Sequence, residues 1–118
     1  MHELSLAQNI VDIVQQHVPS DRANSVTSIK LRIGQMSGVV ADSLDFCFTA
    51  ITSSTPLSSA KLQIEHIPFT LRCSMCNNSF TSEFGTVLCP TCGNENTEVV
   101  GGTEMQIIEI ELRDDATG

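Results

Sequence analysis

The chain has 118 residues, 41% of them hydrophobic, and a formal charge of −8. That length suits one compact unit, or one plus a small satellite, with a real apolar core. An acidic surface repels phosphate backbones and excludes nucleic acid as a partner. No apolar run approaches the roughly 18 residues of a membrane span, and the start lacks the positive n-region of a secretory signal. A cytoplasmic setting follows.

Met1-His2-Glu3 passes at once into a predicted helix, with apolar residues at Leu4, Ala7, Val11, Val14 and Val18, and with Leu6, Ile10 and Ile13 widening the stripe. Pro19 ends it, and His17 in the last turn suits the negative end of the helix dipole. Residues 25–33 alternate, with Ile29, Leu31 and Ile33 on one face and Ser28, Lys30 and Arg32 on the other. That is a strand covered on one side. Gly34 and Gly38 bracket a loop in which Met36 is expected to pack. A second helix is predicted over 42–53, with Leu44, Cys47, Phe48 and Ile51 at helical spacing and Asp42 as its N-cap. Cys47 lies on that stripe and reads as an inert buried thiol. After the connection TSSTPLSSA, Lys61–Ile67 forms another strand with Leu62, Ile64 and a half-buried His66 on one face.

Pro68 breaks that strand, and the stretch from Cys73 to Cys92 follows, with pairs CSMC and CPTC twelve residues apart. Each pair brings two thiolates about a tetrahedron edge apart, and two such turns facing each other close a four-sulfur cage suited to Zn(II). The same spacing could serve two disulfides or a rubredoxin-type iron. The lack of a secretory signal favours metal over disulfides, and colour separates iron from zinc. A cage with all four positions filled leaves no place for substrate, so the zinc is read as structural. Pro90 stiffens the second turn, and Gly93 supplies its left-handed exit. The fifth cysteine stays unpaired, which suits a reducing compartment.

Gly101-Gly102 reads as a flexible return into a last strand, Met105–Leu112. With Ile107 and Ile108 consecutive, this strand is the least one-sided and is expected at the sheet centre. The RDDATG tail is expected to be disordered. The predicted fold is α+β, a three-stranded sheet with two helices on one face plus an inserted zinc ribbon. The first unit is discontinuous (1–68 and 101–118), the ribbon covers 69–100, and Pro68 and Gly101-Gly102 are expected to act as hinges.

The usual catalytic combinations are missing: no Gly-rich phosphate loop, no G-x-S-x-G and no H-E-x-x-H. The chain is therefore not expected to be an enzyme. His2 is the informative histidine. With Met1 retained, the α-amine, the His2 amide nitrogen and His2 Nδ1 can chelate one metal through fused rings, and the Glu3 amide or carboxylate can complete a plane of four. In-plane nitrogen donors of this kind favour Ni(II) or Cu(II). The competing reading is an exposed, frayed terminus.

Met1-His2-Glu3-Leu4-Ser5, the motif Ile33-Gly34-Gln35-Met36-Ser37-Gly38-Val39 and the late CxxC…CPxCG ribbon together resemble the HypA/HybF family of hydrogenase nickel-incorporation proteins. The resemblance covers essentially the whole chain. It implies transferable nickel on Met1, His2 and Glu3, and structural zinc on Cys73, Cys76, Cys89 and Cys92. It also implies delivery of nickel to the [NiFe]-hydrogenase large subunit together with the GTPase HypB. Some relatives carry a histidine beside a cysteine pair, where this chain has Asn77 and Gly93. A histidine-driven pH response at the zinc is therefore not expected. The alternative from another class is a zinc-ribbon adaptor that only binds protein, which leaves His2 without a task.

Overall fold

The computed structural model describes residues 3–82 and 85–113. Met1, His2 and residues 114–118 of the tail lie outside these residues. Arg113, expected to be disordered with that tail, is instead held by its N–H donating to Ser25 O (2.6 Å).

Helix α1 (Glu3–His17) buries Leu6, Ala7, Ile10 and Val14. Of the expected stripe, Ala7, Val14 and Val18 are buried and Leu4 is 55% exposed; of the residues expected to widen it, Leu6 and Ile10 are buried and Ile13 is exposed. A short 3-10 turn (Ser20–Ser25) leads into β1 (Val26–Gly34), where Val26, Ile29, Leu31 and Ile33 are all buried. Helix α2 (Ala41–Thr52) turns Leu44 and Phe48 onto the same core, and Cys47 packs half-buried against it. The helix starts one residue earlier than expected. Asp42 is not its N-cap: the cap position is Val40, whose side chain caps nothing. A second 3-10 turn (Pro56–Ser59), capped by the Thr55 hydroxyl accepting from the Leu57 N–H, precedes β2 (Lys61–Ile67). Leu62 and Ile64 are half-buried, but His66 is exposed, contrary to expectation.

The first sheet has the order β2-β1-β6, with β1 parallel to β2 and antiparallel to β6 (Met105–Leu112). The last strand is thus at the edge, and β1 holds the centre. The feature that suggested otherwise has a local cause. Lys30 faces Glu109 and Leu31 faces Ile107, so Ile108 is the extra residue of a bulge. Two consecutive isoleucines mark that irregularity, and Ile108 is correspondingly exposed. Both helices pack into one apolar core with the sheet. No helix among the described residues is long and apolar enough to cross a membrane.

A second antiparallel sheet is built from β3 (Thr70–Cys73), β4 (Ser79–Thr81) and β5 (Thr97–Gly101) in the order β4-β3-β5. Its junction with the first sheet is packed backbone to backbone. A Cβ on Gly34 would lie 2.1 Å from the Gly102 carbonyl carbon, and one on Gly102 would lie 2.3 Å from Phe69 Cα. Gly102 also has φ +104°, which other residues rarely adopt. Across this crossing Met36 N–H donates to Gly102 O (2.7 Å) and Gln35 N–H to Ile67 O (2.8 Å). The Gln35 side chain accepts from Phe69 N–H (3.1 Å). The return expected to be flexible is clamped at Gly102, where glycine is needed for close approach, whereas a Cβ on Gly101 would meet only ordinary contacts.

Candidate metal centre

The two cysteine pairs fold into the same turn. Cys73 N–H donates to Asn78 O (2.9 Å) and Asn77 N–H donates back to Cys73 O (2.9 Å). Sixteen residues on the pattern repeats, Cys89 N–H to Asn94 O (3.0 Å) and Gly93 N–H to Cys89 O (2.8 Å). At the equivalent position each turn needs a left-handed residue, Asn77 with φ 60° and Gly93 with φ 73°. Asparagine and glycine are the two residue types that enter this region at least cost. Side chains then lock the two turns together. Asn78 Nδ2 donates to Thr91 Oγ1 (3.0 Å), Ser74 Oγ donates to Asn96 O (2.6 Å), and Thr97 Oγ1 donates to Val87 O (2.6 Å).

This frame gathers Cys73, Cys76, Cys89 and Cys92, whose sulfurs all lie within 4.8 Å of one another. Across the turns, Cys73 Sγ lies 3.5 Å from Cys92 Sγ and Cys76 Sγ lies 3.6 Å from Cys89 Sγ. No disulfide joins them. A tetrahedron with metal–sulfur bonds of about 2.3 Å has edges of about 3.8 Å, so the observed spacing fits a tetrahedral thiophilic ion. Cys73 and Cys89 are buried, and Cys76 and Cys92 open to solvent.

Electrostatics sort the sulfurs in the same two-fold way. The Cys76 N–H, and after it that of Met75, hold the Cys73 thiol below its ordinary range against the opposing effect of burial. The N–H groups of Cys92 and Thr91 likewise bring Cys89 down to about 6. At Cys76 the Asn78 amide favours the thiolate, but burial and the three neighbouring sulfurs outweigh it and push the thiol up to about 12. Cys92 moves in the same direction: the Asn94 amide is outweighed by Cys73, burial and Cys89. Four sulfurs this close cannot all ionise unaided, because each added thiolate repels the others. A cation removes that obstacle, and its binding expels the remaining protons. Geometry and donor chemistry therefore both fit a tetrathiolate metal site.

The other expected donors do not join this group. Of Met1, His2 and Glu3, only Glu3 is described, and its Oε2 accepts the Val40 N–H at 3.0 Å. His17 is exposed at the end of α1 beside Ile107, Ile108 and Glu109. His66 lies on β2, paired in register with Ile33. Among the described residues the four cysteines are the one cluster of His, Cys, Asp or Glu able to hold an ion. The sequence pattern located those cysteines and gave Gly93 its left-handed role but not Asn77, although CxxC followed by Asn in one copy and Gly in the other marks the left-handed position in both.

A family model described as "Hydrogenase/urease nickel incorporation, metallochaperone, hypA" matches residues 1–112. The chain is 36% identical over 115 residues to the hydrogenase maturation factor HypA of Desulfosudis oleivorans, covering 97% of this chain and 100% of that protein. It is 40% identical over 107 residues to that of Geotalea daltonii, covering 91% and 94%. Among solved structures, that of the Ni metallochaperone HypA from Helicobacter pylori shares the fold with a TM-score of 0.64 and 21% identity, covering 96% of this chain and 98% of that one. A second HypA solution structure matches with a TM-score of 0.67 and 21% identity, covering 95% and 96%. The match over residues 1–112 of this chain, and along nearly the whole length of the relatives, means that this chain belongs to the HypA family of nickel-incorporation metallochaperones.

Proposed function

We propose that this chain carries Ni(II) as cargo on Met1, His2 and Glu3 while holding a structural Zn(II) on Cys73, Cys76, Cys89 and Cys92. It then passes the nickel to the [NiFe]-hydrogenase large subunit together with the GTPase HypB, in the cytoplasm and without catalysing a reaction itself. The labour divides between residues 1–68 with 101–118, which present the cargo, and the ribbon of 69–100. The observation that carries this reading is the closed four-sulfur group. Four thiolates suit zinc and leave no open position for a transferable ion. Cargo must then bind elsewhere, and the chain start supplies nitrogen donors of the kind nickel prefers.

Within that chelate Glu3 is best placed to offer its main-chain nitrogen, because its carboxylate already accepts from Val40. Titration of untagged, zinc-loaded protein with Ni(II) is expected to give one site per chain. His2→Ala should lower the affinity at least a hundredfold with zinc content unchanged, whereas unaltered affinity would end the nickel assignment.

A second reading, a zinc-ribbon adaptor without metal delivery, draws support from the apolar residues exposed around the cysteine sheet: Met75, Val87, Leu88, Val99 and Val100. It is favoured if His2→Ala supports hydrogenase maturation as well as the parent does.

A further inference from the structure

Glu3 is the first residue of α1, yet its side chain serves a different element. Its Oε2 accepts the N–H of Val40, 37 residues further on, at 3.0 Å. Val40 is the residue from which α2 springs, since its carbonyl accepts the Leu44 N–H at 3.0 Å. In a capping box, a glutamate three residues inside the helix reaches back to this same N–H. Helix α2 has Ser43 at that position, which is too short, and Val40 itself offers no cap. Helix α1 supplies the missing acceptor. A carboxylate at this place also meets the positive end of the α2 dipole. On the other side of the loop, Val39 N–H donates to Ser37 Oγ (3.2 Å) and Met36 N–H to Gly102 O (2.7 Å). Residues 36–40 are thus tied to the sheet junction at one end and to Glu3 at the other.

We propose that the Glu3 carboxylate is a positioning residue for the nickel chelate, acting through Val40 and not as a metal ligand. The inference rests on the nickel reading above. Binding Val40 fixes residue 3, itself a donor of the proposed chelate, against the start of α2. Ordering a chelate on a pinned residue costs less conformational entropy than ordering it on a loose end. The division also suits the backbone. The first four N–H groups of a helix have no intrahelical acceptor, so the Glu3 nitrogen can be given to a metal without breaking a helical bond.

The test compares Glu3→Ala and Glu3→Gln with the parent by Ni(II) titration of untagged, zinc-loaded protein, following the visible d–d spectrum of the bound nickel. Glu3→Ala should weaken nickel binding about tenfold, roughly the scale of freeing one backbone residue, with the spectrum unchanged. Glu3→Gln keeps an acceptor for Val40 and should recover binding to within about threefold of the parent. Val40→Pro removes the donor at a residue that offers the metal nothing. It should match Glu3→Ala, and the double variant should be no weaker than either single one. Equal losses in Gln and Ala variants together with a changed spectrum would make the carboxylate a ligand and overturn the proposal. Full affinity in Glu3→Ala would overturn it as well. A parent that takes up no nickel, or a His2→Ala protein that takes up as much, removes the nickel reading itself, and the positioning role with it.

Discussion

The two sheets of this chain have the same number of strands and are stabilised by different physics. The helix-covered sheet closes on side chains from every layer, with Ala7, Val26, Ile29, Leu31 and Leu44 at zero exposure and Phe48 at 1%. The cysteine sheet buries Phe69, Leu71 and two of its own metal-binding cysteines, and leaves Met75, Leu88 and Val100 at least half exposed. Burial at about 25 cal/mol per Å² sustains the first. The second has too few buried apolar groups to offset the entropy of ordering its chain, which is the usual situation of small metal-bound modules. An unloaded cysteine cluster would add repulsion, since two thiols are raised and two lowered by the crowding of four sulfurs and the amides around them.

The largest expected effect comes from removing the metal's hold. Structural zinc contributes apparent binding energies of about 10–16 kcal/mol in finger peptides, more than this sheet's apolar contacts can replace. Cys73→Ser should release the bound metal and strip amide-exchange protection from 69–100, while the N–H groups of α1, α2 and β1 keep theirs. Loss of protection throughout would show that the clamped junction at Gly34 and Gly102 makes the two sheets one cooperative unit.

How much of this was legible beforehand follows the same division. The cysteine group was readable because its spacing is local, and both helices and the three longer strands were readable from periodicity. What escaped depends on contacts far apart in sequence. Ile107-Ile108 pointed to a central strand, yet the pair records a bulge against Lys30 and Leu31 on an edge strand. Asp42 looked like the α2 cap, whereas the acceptor comes from Glu3 on another helix. Gly101-Gly102 looked like a hinge, because a glycine chosen for freedom and one chosen for close approach read identically until Phe69 is seen against it. The α1 stripe was found at Ala7, Val14 and Val18 but misjudged at Leu4, since Leu4 and Leu6 weigh the same until a sheet decides between them.

A smaller effect is expected at the crossing. Gly34→Ala places a Cβ 2.1 Å from the Gly102 carbonyl carbon and 2.5 Å from Thr103 N, all main chain and unable to swing aside. Overpacking of this kind costs about 3 kcal/mol. Urea unfolding should show that loss with the metal still bound, which distinguishes damage at the junction from damage to the metal site. A cost under about 0.5 kcal/mol would mean that the sheets move apart freely, and the junction would then be a hinge after all.

The smallest effect concerns Glu104, which sits just after that crossing and closes its turn. Its own backbone N–H and that of Gly102, helped by Thr103 N–H and the Arg32 charge, hold the carboxyl below its ordinary range. The Gly102 N–H donates to Oε1 at 2.6 Å. A carboxyl depressed in the folded state binds its proton more readily when unfolded. Its stabilising contribution is therefore complete above the unfolded value of about 4.3 and is lost as pH falls through the lower folded value. Acid also protonates the thiolates and loosens the metal, so absolute acid sensitivity is not diagnostic. The difference between parent and Glu104→Gln is diagnostic, since both carry the same cysteines. The variant should be less stable than the parent at neutral pH, and the gap should close as pH drops below about 4. A gap that stays constant with pH would assign the contribution to the shape of the side chain and not to its charge. In that case the lock on Gly102 would rest on its close contacts with Gly34 and Phe69 and on the Met36 hydrogen bond, without a contribution from charge.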